Sequence, residues 1–284
     1  MDPRIIRLYD QFTHGGISRR EFLDRLALLA GSTAAAAALM PLLQNNYAKA
    51  ASVDPTDPRL AIDTISYEAP GATIGGYLAR LKDRSKRSSV IIIHENRGLN
   101  PHIKDVARRI ALEGFLAYAV DMLSPFGGTP ADEDKARDLF GALKPEETAR
   151  QIAAAVPFLQ KHAECAGNVG IVGFCWGGGI INRVAVLAPE IKAAVSYYGL
   201  QVPADQVPAI RAALLLHYAE LDDRVNTGIA AYEAALKANG KRYTIYLYPG
   251  VNHAFNNDTG SRYVKAAAEL AWSRTVAFFN EQLR

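Results

Sequence analysis

The sequence predicts an α/β fold in which helices cover both faces of a mostly parallel, eight-stranded sheet. From residue 60 onward, continuous apolar runs rich in β-branched residues alternate with helical patterns. A strand that is apolar throughout is buried on both faces, which is typical of a parallel sheet between two layers of helices. The first two strands differ, because Ala69, Pro70 and Gly71 form a turn between them and predict an antiparallel hairpin.

The elements follow one another through short connections. Predicted strands cover residues 60–68, 73–82, 90–94, 115–121, 168–174, 192–198, 212–218 and 243–248. Predicted helices cover residues 103–113, 145–163, 177–187, 226–239 and 260–282, and Pro157 is expected to bend the second of them. Only residues 122–144 leave room for a lid, so we expect a small or absent lid and an open site. One domain, residues 60–284, thus follows a linker at 51–59 and a distinct segment at 1–50.

Composition excludes several classes of function. The 284 residues are 49% hydrophobic and 21% charged, enough for a sizeable core. The net charge is +3, of which +2 lies in residues 1–50, and no basic stripe points to a nucleic-acid partner. The two cysteines, Cys165 and Cys175, lack C-x-x-C spacing and stand before and after one predicted strand, too far apart for a disulfide.

Residues 1–50 support two main interpretations. Arg19 and Arg20 precede a mild apolar run, Leu26 to Leu43, and Ala48 to Ala50 is a small-x-small cleavage pattern. This arrangement resembles a twin-arginine export signal, which predicts export through that machinery and a periplasmic location. The alternative is a retained helical appendage of a cytoplasmic protein, with a capping box at Ser18 and Glu21. Its apolar stripe would comprise Phe22, Leu23, Leu26, Leu29 and Ala30. A membrane anchor is the third interpretation, although the run is barely long enough to span.

The sequence Gly173-Phe-Cys175-Trp-Gly177 stands where a strand should turn into a helix. It has the spacing of the nucleophile elbow G-x-S-x-G, with a thiol in place of the hydroxyl. Asp222 and His253 follow it, in the order nucleophile, acid, histidine that accompanies such elbows. In this interpretation Cys175 is the nucleophile, His253 the general base and acid, and Asp222 the group that orients the imidazole. The helix after the elbow would present its positive end to the sulfur.

The chain resembles the dienelactone hydrolases over roughly residues 60–284. Five motifs in the family's order carry the resemblance: Ile93 to Asn100, Gly173 to Gly179, Val195 to Gly199, Leu221 with Asp222, and Gly250 to Phe255. The resemblance implies an α/β-hydrolase fold and a Cys-His-Asp triad that cleaves a small ester or lactone through a thioacyl-enzyme. It also implies that Glu95 pairs with the cysteine and takes part in its activation. The backbone N–H groups of Asn96 and Trp176 are expected to form the oxyanion hole, and His94 is expected to be structural.

One departure from the family concerns the substrate. Family members that act on an anionic lactone use arginines, one of which lies a few residues beyond the catalytic histidine, where this chain has Asn256 and Asn257. Arg97 and Arg262 are near in sequence but do not occupy the matching position. Replacing an arginine by asparagine removes a charge-assisted anchor, so a neutral or larger ester is at least as well supported. The candidate substrate-binding residues are Arg97, Tyr198 and Asn257.

Other functions have less support. A non-catalytic binding protein that kept the fold would not need an intact Cys, Asp and His together with both elbow glycines. An amidotransferase-like enzyme also places a cysteine on an elbow, but a glutamate follows its histidine closely, and His253-Ala-Phe255 has none. The six histidines show no H-E-x-x-H spacing, so we expect neither a metal nor a cofactor. The physiological substrate and the oligomeric state stay open.

Overall fold

A computed structural model describes residues 2–47 and 52–284. Its centre is one eight-stranded sheet with the order β1-β2-β4-β3-β5-β6-β7-β8. The strands are β1 (Leu60–Ala69), β2 (Ala72–Leu81), β3 (Arg87–Ile93), β4 (Leu116–Val120), β5 (Cys165–Phe174), β6 (Ala193–Tyr197), β7 (Ala213–Ala219) and β8 (Tyr243–Tyr248). All eight predicted strands are therefore present, within a few residues of their expected bounds.

The sheet is mixed but mostly parallel. Strands β1 and β2 form the predicted antiparallel hairpin, and β2 also pairs antiparallel with β4. The five remaining pairings, from β4 through β3 to β8, are parallel. The carboxyl ends of β3, β5, β6 and β7 therefore meet at one edge, the usual position of a site in such folds.

Helices cover both faces of this sheet. In the catalytic part they are α4 (Pro101–Leu112), α5 (Glu133–Phe140), α6 (Pro145–Ala153), α7 (Ala155–Gln160), α8 (Trp176–Leu187), α9 (Asp223–Asn226), α10 (Ile229–Ala238) and α11 (Lys265–Leu283). On one face α4 and α11 pack on the strands, and Val90 and Ile92 point to that side. On the other face the layer includes α6, α7, α8 and α10, and Ile91 and Ile93 point to it. This alternation explains why β3 reads as one continuous apolar run.

Two predicted helices are interrupted or shortened. The helix expected over 145–163 is split into α6 and α7 at Ala154. Pro157 has no N–H to donate to the carbonyl of Ala153, four residues earlier, which accounts for the break. The last helix begins at Lys265 and not at 260, because the N–H of Val264 donates to the carbonyl of Phe255 and closes a loop instead.

The N-terminal segment consists of three helices, α1 (Pro3–Thr13), α2 (Arg19–Ala30) and α3 (Thr33–Leu43). They share an apolar cluster in which Phe22 and Leu26 are fully buried. The predicted cap is present, since the Ser18 hydroxyl accepts from the N–H of Glu21. No single helix of the described chain is long and apolar enough to cross a membrane, and α2 and α3, which pass such a test only together, are bent by 111°. The cleavage pattern at Ala48 to Ala50 lies outside the described residues.

Residues 122–144 are as small a lid as predicted, since they contain one short 3-10 turn, Ser124–Phe126, and α5. The expectation of an open site nevertheless has to be corrected. Helix α1 lies across the carboxyl ends of the strands, so the N-terminal segment covers one side of the site.

Two adjacent glycines in β2 provide a test of the packing. A Cβ added at Gly76 would lie 2.6 Å from the carbonyl oxygen of Ala119, whereas a Cβ added at Gly75 would meet only the Ser124 hydroxyl at 3.5 Å. We expect Gly76→Ala to lower the free energy of unfolding by about 1–3 kcal/mol through overpacking. The control, Gly75→Ala, is expected to change it by less than about 0.5 kcal/mol. Chemical denaturation of both variants measures this, and equal stabilities would contradict the described pairing of β2 with β4.

Candidate active site

The chain makes a strained turn at Cys175, between β5 and α8. Cys175 has φ 56° and ψ −116°, a backbone conformation that residues with a Cβ rarely adopt. The turn is tight enough that a Cβ at Gly173 would lie 2.4 Å from the carbonyl oxygen of Gly177. A Cβ at Gly177 would in turn lie 2.5 Å from the carbonyl oxygen of His94. Both glycines of the elbow motif are thus required by close backbone approach, and the turn presents the thiol at the start of α8.

The three residues of the predicted triad lie together at the carboxyl edge of the sheet. His253 Nδ1 lies 2.5 Å from Asp222 Oδ2, and both side chains are buried. Because a carboxylate only accepts, Nδ1 carries the proton and Nε2 is left with a lone pair. Among the described residues Nε2 has no other hydrogen-bond partner, and the ring lies beside Cys175 Sγ. Asp222 thus fixes the orientation of the His253 ring and leaves its Nε2 free to accept a proton.

The electrostatics of the site favour a thiolate. Burial by itself raises the pKa of Cys175, but the positive charges of His253 and His14 outweigh it and bring the pKa down to about 6. Burial opposes the charge on His253 as well, yet the thiolate and the Asp222 carboxylate raise the pKa of its imidazole above the usual value. The two shifts have one cause, a thiolate and an imidazolium that stabilise each other.

His14, which no sequence motif predicts as a site residue, lies against the thiol. Its Nε2 lies 3.3 Å from Cys175 Sγ, and its ring meets the His253 ring edge-on at 4.7 Å. No local spacing could show this contact, because the two residues are 161 positions apart in the chain. The one local signal is the pairing of Asp10 with His14 across one turn at the end of α1.

Glu95 follows β3 and is buried, as expected. Its Oε2 accepts from Asn257 Nδ2 at 2.7 Å and its Oε1 from the Tyr198 hydroxyl at 3.4 Å. The implied pairing with the thiol is not among the hydrogen bonds of the described residues. Asn257 and Tyr198, two predicted substrate-binding residues, therefore hold the glutamate.

The two predicted oxyanion donors line different cavities next to the thiol, Asn96 the small one and Trp176 the large one. Trp176 is the first residue of α8, where backbone N–H groups have no carbonyl partner within the helix. Asn96 follows Glu95, and its side chain donates to the carbonyl of Thr13 at 2.6 Å. His94 has backbone partners, as a structural residue would. Its Nδ1 donates to the carbonyl of Glu95 at 2.7 Å and its Nε2 accepts from the N–H of Met122 at 3.1 Å.

Acidic side chains hold two arginines near the site, one buried and one half-buried. Arg262 Nη1 lies 2.5 Å from Asp10 Oδ1, on α1. Arg97, the third predicted substrate-binding residue, donates to Asn96 Oδ1 at 3.1 Å and lies 3.8 Å from a carboxylate oxygen of Glu133. Both guanidinium groups are therefore largely neutralised by the protein itself.

Two cavities of very different size adjoin the thiol. The cavity on the side of Arg97, Arg262 and Asn257 has a volume of about 30 Å³, because the N-terminal segment fills that side. The cavity on the other side measures about 280 Å³. Much of its wall is formed by Trp176, Ile180, Tyr198 and Leu200. Two arginines, Arg183 and Arg224, also line it. A substrate thus has room on the apolar side.

One ring nitrogen of each of His14 and His253 lies, with the sulfur of Cys175, in a cluster whose atoms are all within 4.8 Å of one another. Such a set of nitrogen and sulfur atoms is also one that zinc prefers. The same atoms are also arranged for proton transfer, since His14 Nε2 lies within hydrogen-bonding distance of the sulfur, at 3.3 Å.

Known proteins with similar sequences identify the family of this chain. A model of the dienelactone hydrolase family matches residues 74–283. The chain belongs to the dienelactone hydrolase family. An Escherichia coli O157:H7 protein named "Putative carboxymethylenebutenolidase" is 30% identical over 260 residues, which cover 84% of this chain and 96% of that protein. The family resemblance and the α/β-hydrolase fold expected from the motifs are confirmed, and the protein is a hydrolase.

Two solved structures show the same fold. One, a "Putative Dienelactone Hydrolase" from Klebsiella pneumoniae, has a TM-score of 0.70 and 27% identity and covers 78% of this chain and 99% of that one. The other, a "Dienelactone Hydrolase-like Promiscuous Phospotriesterase" from metagenomic libraries, has a TM-score of 0.70 and 22% identity and covers 80% and 100%. The first helices lie outside the family match. A separate model, described as YqhI-like, matches residues 1–32.

Proposed function

We propose that this family member hydrolyses carboxylic esters or lactones through a thioacyl-enzyme formed on Cys175. The observation that carries the proposal is the buried Asp222–His253 hydrogen bond of 2.5 Å beside a thiol whose pKa lies near 6. At neutral pH such a cysteine is a thiolate, the reactive form of the nucleophile. The carboxymethylenebutenolidase name of the E. coli relative is consistent with this class of substrate.

The reaction proceeds in two halves. The Cys175 thiolate attacks the carbonyl carbon and forms a C–S bond, and the carbonyl oxygen becomes an oxyanion facing the N–H groups of Asn96 and Trp176. When the C–O bond breaks, the His253 imidazolium gives its proton to the leaving alkoxide. Neutral His253 then takes a proton from water, which attacks the thioester and releases the acid and the thiolate. Asp222 supports the imidazolium in both halves.

The acyl group is proposed to be neutral and to lie in the 280 Å³ cavity. That cavity borders the sulfur and is lined there by Trp176, Ile180 and Leu200. Arg262 and Arg97 line the small cavity and are already paired with Asp10 and Glu133. Of the two arginines that line the 280 Å³ cavity, Arg183 is paired with Glu146 and Arg224 is exposed to solvent. An anionic acyl group would therefore have to displace a carboxylate, at the cost of a charge-assisted hydrogen bond, or rely on a solvent-exposed cation.

The alternative function, a binding protein that kept the fold, has no comparable support. Backbone strain at Cys175 costs stability, and ligand binding alone requires neither that strain nor a thiol with a lowered pKa. Such features are concentrated at catalytic sites, which favours the enzymatic interpretation.

The triad is tested by loss of turnover. We expect Cys175→Ala and His253→Ala each to lower kcat/KM for an activated ester by roughly 10³-fold or more, since each removes a group needed in the same transition state. The double variant is expected to be little worse than the poorer single one. Cys165→Ala, which changes the other cysteine, is the control and is expected to stay within a few-fold of wild type. Multiplicative losses, or near-normal turnover by Cys175→Ala, would contradict the assignment.

The substrate class is tested with paired esters of equal size, one with a neutral and one with an anionic acyl group. We expect the neutral ester to have the higher kcat/KM. Ile180→Phe narrows the cavity and is expected to lower kcat/KM for acyl groups longer than acetyl by about tenfold. Leu187→Phe, on the same helix but 46% exposed and outside the cavity wall, is the control. A preference for the anionic ester would refute the assignment of the acyl site.

Export through the twin-arginine machinery is also a proposal, based on Arg19, Arg20 and the apolar run that follows them. If it is correct, intact mass spectrometry of protein isolated from native cells will give a mature chain that begins near Ala51. Replacement of both arginines by lysine is then expected to leave a full-length precursor. Full-length protein as the only native form would instead favour the retained appendage.

A further inference from the structure

The N-terminal segment is attached to the catalytic domain around the site itself. Its polar contacts with that domain involve side chains and backbone at both ends of the segment. They are Asp10 with Arg262, the Thr13 carbonyl with Asn96, Arg19 with Asp134, Asn45 with Glu133, the Asn46 N–H with the Thr259 carbonyl, and Tyr47 with Asn100. Arg137 also stacks on Phe12, with 4.5 Å between its guanidinium carbon and the ring centroid. Several independent contacts fix the end of α1 over Cys175.

The orientation of His14 is set by its own helix. Nδ1 lies 2.8 Å from the carbonyl oxygen of Asp10. A carbonyl only accepts, so Nδ1 carries the proton and the lone pair of Nε2 is directed at the thiol, 3.3 Å away. His253 is arranged in the same way, with Nδ1 on a carboxylate. The thiol therefore lies between two imidazoles, each of which can accept its proton.

We propose that His14 is a catalytic residue of the full-length enzyme, and that the N-terminal segment is a cap that delivers it to Cys175. This inference rests on the proposed function, but it concerns a residue that lies outside the triad and outside the matched hydrolase region. A catalytic role for His14 also accounts for the position of Glu95, whose carboxylate accepts hydrogen bonds from Asn257 and Tyr198 and not from the thiol. His14 occupies the place next to the sulfur that the family resemblance assigned to the glutamate.

The single proton of the thiol passes to one of the two imidazoles, at His253 Nε2 or His14 Nε2, and leaves a thiolate beside one imidazolium. When the thiolate has attacked and the C–O bond breaks, the imidazolium that holds this proton gives it to the leaving alkoxide. Atoms and charges balance without any further reactant. The large cavity stays open to the sulfur beside His14, so the cap does not block the proposed acyl site.

The surrounding charges agree with this role. Burial opposes a charge on His14, but the Cys175 thiolate and the Asp10 carboxylate raise the pKa of the imidazole. Titratable and charged side chains line the cavities around the cluster from six parts of the chain: Arg7, Tyr9 and Asp10 on α1, Glu95 and Arg97 after β3, Arg183 on α8, Tyr198 after β6, Asp222, Asp223 and Arg224 after β7, and His253 and Arg262 before α11. Of these, Asp10 and Asp222 directly hold the two imidazoles.

The test is the pH dependence of Cys175 alkylation by iodoacetamide in the full-length chain, with Cys165→Ala as the background so that one thiol reacts. His14→Gln keeps a hydrogen-bond donor but cannot become a cation. Since the lost cation stabilises the thiolate, the apparent pKa of Cys175 is expected to rise by about one unit or more. Alkylation at pH 6 is then expected to fall roughly fivefold or more, and alkylation at pH 9 to stay within twofold.

His162→Gln, a histidine remote from the site, is the matched control and is expected to keep the parent profile. An unchanged profile in His14→Gln would overturn the proposal, whether because His14 has only a packing role or because the cap is detached in solution. The kcat/KM of a neutral ester, measured over the same pH range, is expected to show the same shift. If the parent protein turns over no ester, the proposed function fails, while the alkylation profile still decides whether His14 acts on the thiol.

Discussion

A negative charge on the Cys175 sulfur is the feature on which the rest of the site depends. A buried thiolate is unstable by itself, because burial favours the neutral thiol. The fold compensates with the amino end of α8, to which the strained turn brings the sulfur, and with two imidazoles. Each imidazole in turn needs an acceptor on its far nitrogen, which Asp222 and the Asp10 carbonyl provide. The elbow glycines Gly173 and Gly177 also contribute, because a Cβ at either position would clash with a backbone carbonyl and prevent the tight turn that places the sulfur there.

Around this charge the protein pairs its own cations and anions. Arg262 faces Asp10, Arg97 faces Glu133, and Glu95 is held by neutral donors. Two of these carboxylates, Asp10 and Glu133, belong to the cap or to the small lid region that contacts it. The cap thereby changes the character of the site, because it leaves only about 30 Å³ between the thiol, Arg97 and Arg262, whereas the 280 Å³ cavity on the other side of the thiol stays open. The position of the cap therefore also determines which substrates fit next to the thiol.

The same residues of the N-terminal segment satisfy two sets of requirements. Ser18 and Glu21 cap α2, and Phe22 and Leu26 fill a buried cluster, as a folded appendage needs. Arg19 and Arg20 before a mild apolar run are equally what an export signal needs. The two sets of requirements overlap because a short amphipathic helix that begins with basic residues is suitable both as a folded appendage and as an export signal. A cell that removed the segment would have a mature enzyme without His14, with Arg262 free of Asp10.

The sequence by itself determined the sheet, the elbow and the order of the triad. These follow from local rules: apolar runs define buried strands, two glycines two residues on either side of a nucleophile permit a tight turn, and the carboxyl ends of parallel strands converge. The split of the helix at Ala154 needed only Pro157, although its exact place did not follow from the pattern. Only the tertiary structure decided the partners of the sulfur and of Glu95. The contacts of the sulfur and of Glu95 join residues that are 161 and 162 positions apart in the sequence. Periodicity and spacing describe residues that are near in sequence, so they do not show which helix surface packs on which loop.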